Sequence, residues 1–171
     1  GIDRESIGIS GSVLVGLQTI RSDIDPVVYG MRNCLRVRQK VEELLTEGGE
    51  IKRYSEKELR RLFEFRSQDT AMFFTDFARH EKRKTVQGTF RGRDFFIRYV
   101  KARDEVDEMY GDRAYRALGH VKVSATVTSD SDSIFTPCSY GIADVKVLEG
   151  FKEVSIAQIV SFRGRFCEQA K

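Results

Sequence analysis

The sequence predicts an α+β protein in two parts: a mixed sheet flanked by helices over residues 1–118, then a small all-β domain over residues 119–171. In the first part, short apolar runs alternate with segments whose apolar residues recur at helical spacing. From His120 onward, apolar and polar residues alternate at period two, which is typical of strands. With 171 residues, 40% of them hydrophobic and 32% charged, the chain has a globular composition and enough material for a sizeable core.

The N-terminal third alternates strands and helices. Pattern and turn residues predict, in order, a strand at 6–10, a Gly-Ser bend, a short helix at 13–20, a strand at 23–30 and a helix at 31–47. The Gly48-Gly49 pair ends the last of these. Ser55 followed by Glu58 is a capping box, so we expect another helix to begin there.

The remaining elements follow the same logic. We predict a helix at 70–82, a β-hairpin at 84–100 around Gly92, a helix at 104–119 and three strands within 121–127, 140–148 and 154–162. The change of pattern near Gly119 is the predicted domain boundary.

Composition also indicates the cellular compartment and whether the protein associates with a membrane. The three cysteines are far apart and odd in number, which argues against a disulfide framework. No run reaches the length of a membrane span, and the first residues, "GIDRESIG", lack the basic start and apolar stretch of a signal peptide. We therefore expect a cytoplasmic protein with no membrane partner. The last residues, "SFRGRFCEQAK", contain no stop signal, so we expect the natural chain to continue beyond Lys171.

Two aspartates stand inside the apolar run "DIDPVVYG". Asp23 and Asp25 are two residues apart, so on a strand their side chains point to the same face. Like charges this close are costly in a partly buried place unless a cation lies between them. Mg²⁺ prefers carboxylate oxygens together with substrate phosphates. The pair therefore predicts a site for Mg²⁺ or Mn²⁺.

The Gly-Ser bend supplies the complementary feature. Gly11 lets the backbone approach a ligand closely, and Ser12 offers a hydroxyl and an amide. The start of a helix attracts anions. A phosphate site beside a metal site is what a nucleoside triphosphate requires.

The segment "GSVLVGLQTIRSDID" resembles the signature of the DNA polymerase β-like nucleotidyltransferase superfamily. The matching positions are Gly11, Ser12, Gly16, Ser22, Asp23 and Asp25. The resemblance is strong over residues 7–30, weaker to about residue 100, and greatest for archaeal predicted nucleotidyltransferases, a group without a known substrate. Members often carry Ala-Arg before the second glycine, where this chain has Leu14 and Val15, so that arginine's phosphate contact is missing.

The resemblance implies a nucleotidyltransferase fold and roles for these residues. Asp23 and Asp25 would hold the metal, and Gly11, Ser12, Gly16 and Ser22 would bind the nucleotide. A third carboxylate is expected from a neighbouring strand, where the usual position holds Phe96 or Ile97 here. Asp94, at the entrance of that strand, is the best candidate; the alternative is a turn residue beside Gly92. In the first case it should share a face with the aspartate pair. Asp144 is a remoter candidate.

A basic stretch follows the predicted helix at 70–82. Residues 78–103 contain nine basic side chains against two acidic ones. Phenylalanines and a tyrosine are interleaved with them, which suits binding to a phosphate backbone with some base stacking. Arg91, Arg93 and Arg98 are the predicted nucleic-acid contacts. Neutralisation of the triphosphate and a plain solvated face are the alternatives.

These features predict a Mg²⁺-dependent nucleotidyltransferase that moves a nucleoside monophosphate from a nucleoside triphosphate to a hydroxyl acceptor, with RNA as a candidate. Two other classes compete with it. One is a catalytically silent nucleotide- or RNA-binding module on the same fold, which the displaced position of Asp94 favours. The other is an antitoxin-like or protein-modifying member, against which the extra β domain and the basic hairpin argue.

Overall fold

The computed structural model describes residues 1–68, 72–109, 111–112, 114–150 and 155–170. Within them lie helices α1 (Gly11–Leu14), α2 (Met31–Glu47), α3 (Glu56–Arg66) and α4 (Phe74–Glu81). The strands of the first part are β1 (Ile7–Ile9), β2 (Pro26–Tyr29), β3 (Ile51–Lys52), β4 (Gln87–Phe90), β5 (Arg93–Phe96) and β6 (Arg98–Val100). The strands after residue 119 are β7 (Val121–Ser129), β8 (Cys138–Gly150) and β9 (Gln158–Ser161). The predicted α+β class is thus confirmed.

The strands form three small sheets. In the first, β2 lies between β1, to which it is antiparallel, and β6, to which it is parallel. The other two sheets, β3-β4-β5 and β7-β8-β9, are antiparallel. A parallel bridge between Ile24 and Phe95 links the chain just before β2 to β5. The first two sheets therefore meet at the predicted aspartate pair.

One core joins the two predicted parts of the chain. It contains Val28 of β2, Leu45 of α2, Phe95 of β5, Tyr140 of β8 and the C-terminal Cys167. Burying these side chains contributes roughly 1.5–3 kcal/mol for each large apolar one. The boundary near Gly119 stays a prediction, but residues on both sides of it pack against each other.

Helices α3 and α4 pack together beside this core. The capping box at Ser55 is confirmed: its hydroxyl accepts from the backbone N–H of Glu58, whose carboxylate accepts from the Ser55 N–H at 2.7 Å. Phe63 of α3 meets Phe74 and Phe77 of α4 edge to face, with ring centroids 5.5 and 5.3 Å apart. These ring contacts hold α3 against α4.

The helix predicted at 104–119 is wrong for the described residues there, which contain only a 3₁₀ turn at Arg103–Glu105. Two apolar residues that would lie on the buried side of such a helix are out of the core, with Val106 45% and Met109 62% exposed. Gly111 adopts a φ of 98°. A short helix without an apolar surface to pack against is marginal in water, so periodicity alone misleads here.

Other predictions differ at their ends. The predicted helix at 13–20 is only one turn, and Gly16 follows it with a φ of 70°. Strand β2 begins at Pro26, three residues later than predicted. Parts of the predicted helix at 70–82 and of the third C-terminal strand fall on 70–71 and 154, outside the described residues. None of the helices in the described parts of the chain is long and apolar enough to cross a membrane.

Candidate functional site

The aspartate pair flanks the point where the first two sheets meet. Ile24 N–H donates to the Asp94 carbonyl at 2.9 Å, and Phe96 N–H donates to the Ile24 carbonyl at 2.9 Å. Ile24 and Phe95 both pack into the core. Because side chains alternate along a strand, Asp23, Asp25 and Asp94 share the opposite face. The same register places Phe96 on this face, next to Asp25, and the Asp94 side chain is 40% exposed. The role of Asp94 as a third carboxylate therefore stays a prediction.

Gly11 lies directly against the Asp25 carboxylate. A Cβ at position 11 would overlap Asp25 Oδ2, and Gly11 has a φ of 66°. Ser10 connects the chain before α1 to the chain before β2. Its N–H donates to the Asp25 carbonyl at 2.8 Å, and its hydroxyl donates to the same oxygen at 3.1 Å. Two features therefore favour glycine here: the backbone conformation, and the Asp25 carboxylate, which would have to move to admit a Cβ.

The electrostatics of the pair fit a cation. Burial raises the pKa of Asp25, the neighbouring Asp23 raises it further, and Arg98 opposes both effects. In the described part of the chain, neither Asp23 nor Asp25 has a salt-bridge partner. Two carboxylates without a salt-bridge partner suit Mg²⁺ or Mn²⁺, which takes its remaining ligands from water and phosphate.

The Ser12 hydroxyl, in the residue after Gly11, is a further unsatisfied group. Its Oγ is buried and has no hydrogen-bond partner among the described residues. A buried hydroxyl without a partner is costly, which makes it a ready contact for a ligand oxygen. Ser12 thus fits the predicted phosphate contact.

The two other predicted nucleotide contacts look different. Gly16 has open space where a Cβ would lie, so only its positive φ calls for glycine. Ser22 Oγ accepts from the Thr19 N–H at 2.9 Å and shapes the turn before Asp23. In this geometry both residues support the loop between α1 and the aspartate pair; their contact with a nucleotide stays a prediction.

Asp94 is engaged with a residue that sequence patterns do not single out. Arg61 Nη2 of α3 lies 2.8 Å from Asp94 Oδ2. Burial raises the pKa of Asp94; Arg61 lowers it, whereas Glu58 and Asp23 raise it. No three His, Cys, Asp or Glu side chains of the described residues are arranged to hold a metal. Arg61 went unnoticed because α3 is rich in basic residues and nothing in its spacing marks one of them.

The predicted nucleic-acid contacts have separate surroundings. Arg93 donates two hydrogen bonds to the Ser22 carbonyl, at 2.8 Å from Nη2 and 3.3 Å from Nε. Arg91 pairs with Glu50 at 2.7 Å and lies over the Phe90 ring. Arg98 is exposed and within the field of Asp25. Lys84, also counted in the basic stretch, is buried and paired with Glu81 at 2.6 Å. Some basic side chains of residues 78–103 are therefore paired within the protein and are not available to a nucleic acid.

The remoter carboxylate candidate lies elsewhere. Asp144 belongs to β8 of the third sheet, at an irregularity of its pairing with β7, and has a φ of 52°. Among the described residues, no strand pairing brings Asp144 to the face that carries Asp23 and Asp25.

Comparison with known proteins adds one relative. The chain is 29% identical over 169 residues to an uncharacterized protein of Methanocaldococcus jannaschii. The match covers 99% of this chain and 48% of that protein, so the chain spans about half the length of its relative. No family model matches the chain, and no solved structure matches it.

Proposed function

We propose that this protein is a Mg²⁺- or Mn²⁺-dependent nucleotidyltransferase of the polymerase β-like type, which transfers a nucleoside monophosphate from a nucleoside triphosphate to a hydroxyl acceptor. The observation that carries the proposal is the contact of Gly11 with the Asp25 carboxylate, next in the chain to the unpartnered Ser12 hydroxyl. The resemblance of residues 7–30 to the superfamily signature agrees with it.

In this proposal each residue has a definite task. Asp23 and Asp25 would hold the cation, which when bound supplies positive charge to the phosphate oxygens and to the attacking oxygen. The Ser12 hydroxyl would donate to a phosphate oxygen, and Gly11 would let the backbone approach it. Arg93 would keep the turn at Ser22 in place, so that Asp23 stays on the correct face.

The transfer itself forms one bond and breaks one. The acceptor oxygen bonds to the α-phosphorus, and the bond from that phosphorus to the pyrophosphate oxygen breaks. The hydroxyl proton goes to Asp94, the carboxylate on the shared face. Burial raises the pKa of Asp94, which favours uptake of a proton by this carboxylate.

A second function is favoured by the Arg61–Asp94 ion pair. A carboxylate held by an arginine is a poor base, so the same fold with this pair kept closed would bind nucleotide or RNA without turnover. This is the silent binding module.

Incubation of the protein with each α-labelled nucleoside triphosphate, Mg²⁺ or Mn²⁺ and pooled cellular RNA tests both functions. We expect label on RNA or on a small acceptor. The Asp94→Ala variant should lose turnover by orders of magnitude yet keep its triphosphate affinity. Triphosphate binding without any transfer would favour the silent module, and label on protein would favour a protein-modifying activity.

A further inference from the structure

An open pocket of about 310 Å³ lies between α3 and β5, beside the aspartate face. Its lining contains both aromatic and charged side chains: Tyr54, Glu58, Arg61, Leu62, Phe65 and Asp94. Asp94 thus belongs to two places at once, the face shared with Asp23 and Asp25 and the wall of this pocket. Whatever occupies the pocket lies next to the predicted reaction centre.

Arg61 is the cation of this pocket that a ligand can recruit. Its side chain is 67% exposed, and that of its partner Asp94 is 40% exposed. An ion pair this open to water is weak, so a second anion can draw the guanidinium away at little cost. Glu58 lies in the same pocket and also attracts the Arg61 charge, but its Oε2 is held by the Ser55 N–H at 2.7 Å and by the Ser55 hydroxyl at 2.6 Å.

The apolar part of the lining offers a face for a planar ring. Phe65 is 74% exposed, although aromatic side chains are usually buried. Tyr54 and Leu62 pack against the α3–α4 cluster and form the wall behind it. An exposed aromatic ring near an arginine is the combination with which proteins hold a base and its phosphate.

We propose that this pocket binds the acceptor of the transfer reaction, and that the acceptor is a nucleotide, either free or at the 3′ end of an RNA. Its phosphate would pair with Arg61 and its base would stack on Phe65. When Arg61 turns to the phosphate, the Asp94 carboxylate is released beside the acceptor's hydroxyl. Arg61 therefore selects acceptors that carry an anion. The role of this nucleotide as an acceptor rests on the proposed nucleotidyltransferase function. Its binding to the pocket can be tested without turnover.

The test is calorimetric binding of adenosine and of adenosine 5′-monophosphate in the presence of a chelator, without triphosphate. We expect the wild-type protein to prefer the monophosphate at least about tenfold. Arg61→Gln should remove this preference. The matched control is Arg60→Gln on the same helix, since Arg60 is 59% exposed and pairs with Glu56 at 2.6 Å. Phe65→Ala should weaken both ligands equally. Equal affinity for the two ligands in the wild-type protein, or equal losses in the Arg60 and Arg61 variants, overturns the proposal.

Two further experiments complete the test. The first distinguishes a free nucleotide from an RNA end, and the second distinguishes this proposal from the proposed nucleotidyltransferase function. A short oligoribonucleotide that binds much more tightly than the monophosphate, with the same dependence on Arg61, identifies an RNA end; equal affinity identifies a free nucleotide. An unreactive triphosphate analogue with Mg²⁺ should bind together with the monophosphate. If it displaces the monophosphate, the pocket is part of the donor site and the acceptor assignment fails. If it does not bind while the monophosphate does, the nucleotidyltransferase function fails and the nucleotide pocket stands.

Discussion

Gly11 shows how a single missing side chain can shape a site. Its positive φ and the nearby Asp25 carboxylate exclude a Cβ for two separate reasons, whereas Gly16 has the positive φ alone. The two glycines of one motif therefore carry different constraints. The sequence shows both as glycines of a signature, and only the structure distinguishes them.

Gly11→Ala and Gly16→Ala measure that difference. Each change places a side chain at a positive φ, which costs about 1–2 kcal/mol. Gly11→Ala also overlaps Asp25, so we expect at least about 1 kcal/mol of further destabilisation and a loss of Mg²⁺-dependent triphosphate affinity. Chemical denaturation and calorimetry measure the two effects. Equal free energies of unfolding in both variants would contradict the contact between Gly11 and Asp25.

Replacing either aspartate of the pair removes the cation site. Asp23→Asn and Asp25→Asn should abolish Mg²⁺-dependent binding of a triphosphate while the fold persists, because both side chains lie outside the core. Asp107→Asn, at an exposed position away from any strand, serves as the control. Unchanged affinity in both aspartate variants, measured calorimetrically, would rule out the assignment.

The metal-free protein should also show the cost of the Asp25 charge, which comes first from burial and then from repulsion by Asp23. The pKa of Asp25 is raised in the folded protein above its ordinary value of 3.8, so its charged form destabilises the fold. That penalty is present above the raised pKa and disappears as the pH falls below 3.8. We therefore expect Asp25→Asn to melt at a higher temperature than the wild-type protein at neutral pH, with the difference vanishing in acid. A difference independent of pH would exclude the Asp25 charge as its cause.

At the scale of elements, the β4–β5 hairpin has two arginines with different partners. Arg93 binds the turn that leads to Asp23, while Arg91 pairs with Glu50 at the exposed end of the hairpin. The sequence assigns both to nucleic acid because spacing shows only that they are basic and close together. A guanidinium that holds a backbone carbonyl looks the same in sequence as one that faces solvent.

Alanine substitutions separate the two roles. Arg93→Ala should lower triphosphate affinity several-fold by loosening the turn at Ser22, and Arg91→Ala should leave it unchanged. If the hairpin also tracks a single strand, Arg91→Ala should lower the salt slope of RNA binding by about 0.7. Filter binding across a salt series measures this slope. Equal loss of triphosphate affinity in both variants would instead place both arginines in the triphosphate pocket.

Elements marked by local chemistry were predictable from the sequence. The capping box at Ser55, the glycine stop at Gly48 and the turn at Gly92 each act within a few residues, and the structure confirms the elements they bound. The helix at 104–119 failed because its apolar face needed a partner surface that the fold does not provide. The contact of Arg61 with Asp94 spans 33 residues, so no local pattern encodes it.

At the scale of the molecule, a buried carboxylate ties the C-terminal segment to the N-terminal part. Glu168 accepts from the Thr85 N–H at 2.6 Å, the Thr85 hydroxyl at 2.9 Å, the Val86 N–H at 3.1 Å and Arg38 Nε at 2.9 Å. A buried charge is tolerated when it is paired and hydrogen-bonded to this extent. The change of sequence pattern near Gly119 gives no indication of this connection, because it lies in tertiary contacts.

Glu168→Gln tests whether the molecule unfolds as one unit. The amide removes the charge beside Arg38 and replaces one acceptor oxygen with a donor, so we expect a loss of about 3–5 kcal/mol. The exposed Glu149→Gln, which loses its pair with Lys122, should cost less than about 1 kcal/mol.

Because Phe135, Cys138 and Cys167 belong to the same core as Val28, a fragment of residues 1–118 should not unfold cooperatively by itself. A fragment with a sharp transition, and a Glu168 variant as stable as the Glu149 control, would instead establish two independent domains.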